Sequence, residues 1–270
     1  MSDAALEAPL TLVVALAGLA LGSFLNVCIY RLPAGESVVR PGSRCPGCRA
    51  PIRWYDNVPV VSWILLRGRC RRCSAAISMR YPLVEILTAL LLVALWWYLG
   101  PGAAFLVAAP FALALLVLFF TDFDERLLPD AVTLSGLITG LAIAWCNPFL
   151  TGSSGRRVWL ALSGAALGAG LLWGVGAVYG RLRGVEAMGL GDVKMMAMVG
   201  AFAGPVGALV TVFGASVVGA VVGVALIPIR GGTLKDALPF GCFLAPASLA
   251  ALLWGQRLAQ AYGRLVLPPG

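Results

Sequence analysis

Two aspartates are the residues of this chain whose positions point most directly to chemistry. Asp122 directly follows a long apolar run, and Asp192 lies in an almost uncharged stretch, after Gly189-Leu190-Gly191. A carboxylate at membrane depth is costly, so it is a candidate functional group and is expected to have a partner. Two facing carboxylates can share a proton, with one acting as general base and the other as general acid. Such a pair would activate water to hydrolyse a peptide bond without a metal ion.

The same residues also allow plainer interpretations. Asp122 could be an ordinary charge at a helix end, whereas the glycines beside Asp192 favour an unusual backbone and the close approach of another segment. Three acidic residues beyond Asp122 are expected to be solvated, and the last could also cap the next helix: Asp124, Glu125 and Asp130. The 270 residues include no histidine, which excludes Ser-His-Asp and Cys-His catalysis and histidine-ligated zinc.

Four cysteines form two CxxC pairs, Cys45 with Cys48 and Cys70 with Cys73, separated by 21 residues. This spacing is close to that of zinc ribbons, in which each pair supplies two thiolates to a tetrahedron. Neighbouring arginines help to keep the thiols ionised. On a cytoplasmic loop, where disulfides are disfavoured, the pattern predicts zinc, and four ligands make the site structural. The other cysteines lie in apolar segments and are expected to be small core residues: Cys28, Cys146 and Cys242.

The composition indicates that membrane helices position these residues. Hydrophobic residues make up 60% of the chain and charged residues 12%, with a mean hydropathy of +0.91, whereas soluble domains have about 45–50% apolar and about 25% charged residues. Apolar runs of roughly 20 residues predict transmembrane helices. Eight are expected, the sixth beginning near Ala187 and separated from the seventh by a break at Gly204-Pro205: residues 10–30, 83–99, 103–121, 131–149, 158–180, 187–203, 206–229 and 237–256.

The expected fold is therefore an all-α polytopic membrane protein with a cytoplasmic zinc-ribbon-like loop. Glycines at small-xxx-small spacing in the fifth predicted helix indicate a packing seam: Gly164 and Gly168, Gly170 and Gly174, and Gly176 and Gly180.

The distribution of positive charge predicts the orientation of the helices. Ten of the 20 Lys and Arg lie between Arg31 and Arg80. With this segment in the cytoplasm, 16 of the 20 basic residues fall inside and four outside, as the positive-inside rule requires. Both termini are then outside the cytoplasm, and both aspartates lie at its face. Topology, and not nucleic-acid binding, thus explains the net charge of +8.

Several motifs together carry a resemblance to a known family. They are GSFLNV (22–27) with YRLP (30–33), SRCP (43–46), NVP (57–59), RGRC (67–70), RYPLVE (80–85), Asp122 with LPD (128–130), and GLGDVK (189–194). In combination they resemble the bacterial type IV prepilin peptidases, bifunctional leader peptidase/N-methyltransferases of the GxGD aspartic peptidase group. The resemblance covers nearly the whole chain.

The resemblance implies that Asp122 and Asp192 are the catalytic residues of a membrane aspartic endopeptidase. It implies a type IV prepilin or pseudopilin substrate, whose short basic leader is cut after a glycine at the cytoplasmic face of the bacterial inner membrane. The new amino terminus would then be methylated from S-adenosylmethionine. Gly189 and Gly191 would give an extended substrate room, and Lys194 could stabilise charge near the aspartates or be an interfacial lysine.

The organisation expected from this resemblance is a first transmembrane helix in residues 1–30, a four-cysteine zinc domain in 31–82 and a transmembrane peptidase domain in 83–270. The family carries methyl transfer in the amino-terminal domain, but no cofactor fingerprint is visible there. The polar candidates could equally be surface or structural residues: Glu36, Asn57, Arg67, Arg69 and Glu85.

Two alternatives stay open at this point. A peptidase without methyl transfer is disfavoured by the intact loop between Arg31 and Glu85. A zinc-ribbon membrane scaffold or small transporter would use Asp192 as an ion or proton site.

Overall fold

The computed structural model describes residues 3–184, 189–230 and 239–266, and regular structure within them is helical apart from two isolated β-bridges. The chain divides into two compact units, Met1–Val117 and Leu118–Gly270. The predicted all-α class is confirmed. The α-helices are α1 (Asp3–Arg31), α2 (Val61–Leu65), α3 (Arg80–Leu99), α4 (Ala103–Glu125), α5 (Asp130–Ala142), α6 (Ser154–Arg183), α7 (Leu190–Arg230) and α8 (Gly241–Val266), with 3-10 turns at Trp54–Asp56 and Ala144–Cys146.

Six of the described helices contain segments long and apolar enough to cross a membrane: Glu7–Arg31, Arg80–Leu99, Ala103–Glu125, Ser154–Leu182, Leu190–Leu226 and Gly241–Arg264. This number counts α7 as one span, where the sequence predicted two. The predicted starts of the sixth and eighth spans, at residues 187 and 237, lie outside the described residues; α7 begins at Leu190 and α8 at Gly241.

The fourth predicted span, residues 131–149, is corrected to a shorter helix. α5 has 13 residues, a length of about 20 Å, whereas the hydrocarbon core of a bilayer is about 30 Å thick. Beyond Ala142 the chain makes only the 3-10 turn Ala144–Cys146 and then becomes extended at Asn147, with φ −64° and ψ 116°. Asn147 precedes Pro148, and the helical conformation is disfavoured for a residue before proline, so the helix does not resume there.

The chain of α7 reverses direction at Gly204. This residue has φ 70° and ψ −175°, a conformation that glycine adopts readily, and Pro205 has no N–H to continue the helical hydrogen bonds. A Cβ placed on Gly168 would contact both the Met196 carbonyl oxygen and, at 3.6 Å, the Ala208 Cβ. Residues 12 positions apart on a straight helix would be about 18 Å apart. The two parts of α7 therefore pack side by side, with the turn at the predicted break.

The first part of α7, residues 190–203, lies between α5 and α6. Gly140 on α5 is so close to Phe202 that a Cβ there would lie 2.8 Å from the ring. On the other side, Gly164 and Gly168 of α6 face the α7 backbone, which confirms that part of the predicted seam. Gly170 and Gly174 have no such neighbour within 4 Å. Six side chains of this part are fully or almost fully buried: Met195, Met196, Met198, Val199, Ala201 and Phe202.

The unit Met1–Val117 is organised by close packing of α1 on α3. A Cβ on Gly18 or on Gly22 would lie 2.6 Å from the α3 backbone, at Ala89 and Glu85 respectively. These glycines allow the two backbones to approach closely. Near the same end of α1, the buried Asn26 amide donates to the Tyr81 carbonyl at 3.0 Å.

Candidate active site and metal centre

Asp122 lies in the last turn of α4 and is only 5% exposed. The backbone N–H of Cys242, at the start of α8, donates to its Oδ2 at 2.9 Å. A Cβ on Gly241 would lie 2.8 Å from the same oxygen and 2.9 Å from the carboxyl carbon. The amino-terminal end of α8 therefore holds this carboxylate in place, and glycine is required beside it because of the close approach.

Asp192 lies in the first turn of α7 and is half-buried. Asp122 and Asp192 line one cavity of about 180 Å³ and are close enough to interact electrostatically. The structure thus brings together the two carboxylates that the sequence singled out, although they lie 70 positions apart in the chain. Arg126 and Leu128 from the α4–α5 connection and Asp130 at the start of α5 also line the cavity.

The two glycines before Asp192 both line the cavity but have different surroundings. At Gly191 a Cβ would lie 3.0 Å from the Leu128 Cβ, so the glycine allows the α4–α5 connection to come close. At Gly189 a Cβ would meet nothing nearer than the Asp192 Oδ2, at 3.7 Å. The space expected for an extended segment is therefore present at Gly189, whereas Leu128 fills it at Gly191.

Lys194 forms an ion pair with Asp130. Its Nζ donates to both carboxylate oxygens at 2.7 Å, and the side chains are 35% and 56% exposed respectively. The pair connects the first turn of α7 to the first turn of α5. Asp130 does not cap α5: the helix begins at Asp130 itself, Pro129 occupies the cap position, and no side chain caps it. Asp124 and Glu125 are exposed, as predicted, but belong to the last turn of α4.

The contribution of α8 was missed by the sequence analysis. Cys242 was expected only as a small core residue and is indeed buried, but its backbone N–H reaches Asp122. The same expectation holds for Cys28 and is wrong for Cys146, which is exposed in the 3-10 turn after α5. A backbone N–H occurs at every residue except proline, so residue type carries no signal for this contact. The one usable hint is Gly241, a glycine in the second turn of the predicted eighth span, residues 237–256.

The four predicted zinc ligands come together in the unit Met1–Val117. The sulfur atoms of Cys45, Cys48, Cys70 and Cys73 all lie within 4.8 Å of one another. The Sγ atoms of Cys45 and Cys73 are 3.7 Å apart. A tetrahedral site with Zn–S bonds of about 2.3 Å has sulfur–sulfur distances of roughly 3.8 Å, so this cluster fits zinc.

The two CxxC segments form matching turns. The N–H of Cys45 donates to the Ala50 carbonyl at 3.0 Å, and the N–H of Cys70 donates to the Ala75 carbonyl at 2.9 Å. The residue after each second cysteine has positive φ, 56° at Arg49 and 58° at Ser74. The segments RCPGCRAPI (44–52) and RCRRCSAAI (69–77) are thus a structural repeat offset by 25 residues, which comparison of the two segments would have found.

Hydrogen bonds in the second turn prepare one thiol for metal binding. The backbone N–H groups of Cys73 and Arg72 donate to the Cys70 sulfur and lower the pKa of that thiol to about 6. The N–H of Ala75 acts in the same direction on Cys73, but hydrogen bonds shared with Cys48 and burial raise the pKa of Cys73 to about 11. The cluster therefore retains protons that a bound metal ion would displace.

The polar candidates for methyl transfer occupy different places in the first unit. The carboxylate of Glu85, 6% exposed, accepts the backbone N–H of Val60 at 2.7 Å. Asn57 lines a second cavity, described below. Glu36 is exposed, Arg67 follows α2 with φ 50°, and Arg69 lies in the β-bridge with Ala76.

Comparisons with known proteins agree with these two regions. The family model for the bacterial peptidase A24 N-terminal domain matches residues 16–99, and that for the type IV leader peptidase family matches residues 109–224. No solved structure is a significant match.

Curated relatives match along most of their length. A Pseudomonas putida protein named prepilin leader peptidase/N-methyltransferase is 38% identical over 267 residues, 89% of each chain. An Aeromonas hydrophila protein of the same name is 38% identical over 268 residues, 90% of each chain. One from Pseudomonas aeruginosa is 36% identical over 274 residues, 92% of this chain and 91% of the relative. The chain therefore belongs to the type IV leader peptidase family.

Proposed function

We propose that the protein is a membrane aspartic endopeptidase that removes the basic leader of type IV prepilins or pseudopilins after a glycine and then N-methylates the new amino terminus. Membership in the leader peptidase family and the names of the relatives support both activities. The observation that carries the peptidase assignment is that Asp122 and Asp192 line one cavity. The six apolar helices agree with an integral protein of the inner membrane.

In the proposed cleavage, the two carboxylates share one proton and hold a water molecule beside the scissile carbonyl. The ionised carboxylate takes a proton from the water as its oxygen bonds to the carbonyl carbon, and the protonated carboxyl gives its proton to the carbonyl oxygen. The carbon–nitrogen bond then breaks as the carboxyl that took the water proton gives it to the leaving nitrogen. The other carboxylate takes back a proton from a hydroxyl of the intermediate as the carbonyl re-forms, which restores the shared proton. The Cys242 N–H keeps Asp122 oriented throughout. The open space at Gly189 would receive the extended substrate.

We place the active site at the cytoplasmic face. The basis is the excess of Lys and Arg on that side, 16 against four, when residues 31–80 are cytoplasmic and the chain crosses the membrane eight times. Because α5 alone is too short to cross, this count takes α5 and its connection to α6 together as the fourth crossing. The scissile bond of a prepilin would then lie where its basic leader meets its hydrophobic helix, next to the ends of α4 and α7.

The loop of residues 31–82 is proposed as a structural zinc domain, with Cys45, Cys48, Cys70 and Cys73 as ligands. Four protein ligands leave no open position for chemistry on the metal. S-adenosylmethionine is the proposed methyl donor, as the names of the relatives imply. It supplies an electrophilic methyl group to the new terminal amine.

The decisive experiment incubates the purified protein with a prepilin and S-adenosylmethionine and measures the intact product mass. Loss of the leader with one added methyl group is expected. Asp192→Asn should abolish cleavage, and the matched control Glu125→Gln, an exposed carboxylate in the last turn of α4, should cleave normally. Leader loss without methylation would reduce the function to a peptidase. An unchanged substrate with folded, zinc-loaded protein would favour a scaffold or transporter.

A further inference from the structure

A cavity of about 350 Å³ opens in the unit Met1–Val117 and is lined from three separate segments. One face of α1 contributes residues at helical spacing, and the segments 38–43 and 57–59 supply the rest. Four of the motifs singled out in the sequence, GSFLNV, YRLP, SRCP and NVP, contribute to its wall. Six of the lining residues are Ser23, Phe24, Val27, Val39, Ser43 and Asn57.

Arg31 fixes the first loop of this wall. Its guanidinium donates to the carbonyls of Ser37 at 3.0 Å, Pro41 at 2.7 Å and Gly42 at 3.2 Å. The Ser37 hydroxyl oxygen in turn accepts the backbone N–H of Val39 at 3.3 Å. The loop is therefore held over the end of α1 by three hydrogen bonds from Arg31.

Glu85 fixes the second segment. Its Oε2 accepts the Val60 N–H at 2.7 Å, and its carboxylate also hydrogen-bonds to Ser23 in the cavity wall. The Ser62 hydroxyl oxygen accepts the Val58 N–H at 3.0 Å. The segment that carries Asn57 is thus tied to α3 and to α2. These bonds make the cavity a preformed feature of the unit.

The chemistry of the wall suits a ligand with one flat apolar part and one polar part. Phe24, Val27 and Val39 offer apolar surface, whereas Ser23 and Asn57 offer hydroxyl and amide groups. Small-molecule sites have volumes of about 300–1,000 Å³. This cavity falls within that range, and the 180 Å³ cavity of the aspartates does not.

We infer that this cavity binds S-adenosylmethionine, with the adenine ring on the apolar side and the polar groups of the ligand toward Ser23 and Asn57. The inference rests on the proposed function, because the methyl-transfer half of that function requires such a donor. In this arrangement Glu85 and Arg31 are positioning residues that hold the walls of the cavity. Ser23 and Asn57 contact the ligand.

The test is photolabelling of the full-length protein in detergent with 8-azido-S-adenosylmethionine, followed by mapping of the labelled peptides. Label is expected within residues 20–43 or 57–59, and excess S-adenosylmethionine should prevent it. If excess S-adenosylmethionine prevents labelling, but the labelled peptides all lie in other parts of the chain, the inference is overturned. Label that excess S-adenosylmethionine does not reduce would also overturn it, because the cavity would then hold a lipid or detergent molecule.

A second measurement uses equilibrium binding of radiolabelled S-adenosylmethionine. Val27→Trp, at a half-buried residue of α1 in the cavity wall, should fill the cavity and weaken binding at least tenfold. Leu65→Trp, at an exposed aliphatic residue of α2 that does not line the cavity, should bind normally. Thermal unfolding of each variant checks that it is folded. Folded Val27→Trp with wild-type affinity would overturn the inference. Absence of binding to the wild-type protein would instead overturn the methyl-transfer half of the proposed function.

Discussion

The cysteine cluster and the aspartate cavity are assembled over very different distances along the chain. All four clustered cysteines lie between Cys45 and Cys73, and each half of the cluster is a tight turn of a few residues. The aspartate cavity needs α4, α7 and α8, and the hydrogen bond from Cys242 to Asp122 joins residues 120 positions apart. A metal site can thus be encoded locally, whereas this carboxylate pair exists only after the helices have packed. Changes in the two regions should therefore have separable effects.

The largest separable effect is expected at the cysteine cluster. Cys45→Ser removes one of the proposed thiolate ligands. Loss of a residue that only hydrogen-bonds to a ligand lowers metal affinity by roughly 10- to 100-fold, so loss of a ligand should lower the zinc affinity by more than this, and the purified variant should contain less zinc. The substitution should also destabilise the loop, because structural zinc contributes folding energy. Metal analysis of the purified protein measures this. Cys146→Ser, an exposed cysteine outside the cluster, should keep its zinc, and stoichiometric zinc in Cys45→Ser would contradict the ligand assignment.

The next effect tests the long-range construction of the aspartate cavity. Gly241→Ala would place a methyl group 2.8 Å from Asp122 Oδ2, and a displacement of about 1 Å in a catalytic group can reduce the rate by about 100-fold. We expect a loss of leader cleavage of that order without loss of zinc, measured as the initial rate on a prepilin.

The matched control for that change lies on the same helix. A Cβ on Gly255 would find its nearest neighbours at 3.7 and 3.8 Å, an ordinary contact distance. Gly255→Ala should therefore cleave at close to the wild-type rate. Equal cleavage rates for Gly241→Ala and Gly255→Ala would show that the start of α8 does not position Asp122.

A smaller effect is expected from the seam that positions Asp192. Gly168→Ala would drive a methyl group into the Met196 carbonyl oxygen, whereas Gly170→Ala would meet no neighbour within 4 Å. Overpacking of this kind costs about 1–3 kcal/mol. Gly168→Ala should lower the thermal unfolding midpoint in detergent, and Gly170→Ala should leave it nearly unchanged. A reversed order would show that this seam does not support α7.

The smallest effect is expected at the ion pair between α5 and α7. Lys194→Met breaks its contact with Asp130, but both side chains are partly exposed, and such pairs contribute about 0.2–1 kcal/mol. We expect a slight fall in the unfolding midpoint and cleavage within a few-fold of wild type. A loss of cleavage of more than about 100-fold with unchanged stability would mean that Lys194 acts on the aspartates themselves.

The sequence predicted the locally assembled cysteine cluster more completely than the aspartate cavity, which depends on long-range packing. The CxxC spacing was sufficient to predict that the four cysteines cluster, because both halves are local turns. Asp122 and Asp192 could be identified because a charge in an apolar run is costly. The pairing of Lys194 with Asp130, across 64 residues, could not be predicted, since it depends on how α5 lies against α7.

The helices show the same limits of local information. Apolar length identified every transmembrane candidate, and Gly204-Pro205 marked the reversal within α7. The early end of α5 was missed because the apolar run continues beyond Ala142. Pro148 gave a local signal only for the extended conformation of Asn147, five residues beyond the helix.

The central claim is that Asp122 and Asp192 act as one unit. Its most direct test compares leader cleavage by Asp122→Asn, Asp192→Asn and the double variant, each with zinc content confirmed. Residues that act together give strongly non-additive losses, so each single variant should lose about as much activity as the double one. A single variant that retains wild-type cleavage, or losses that multiply in the double variant, would contradict the shared role.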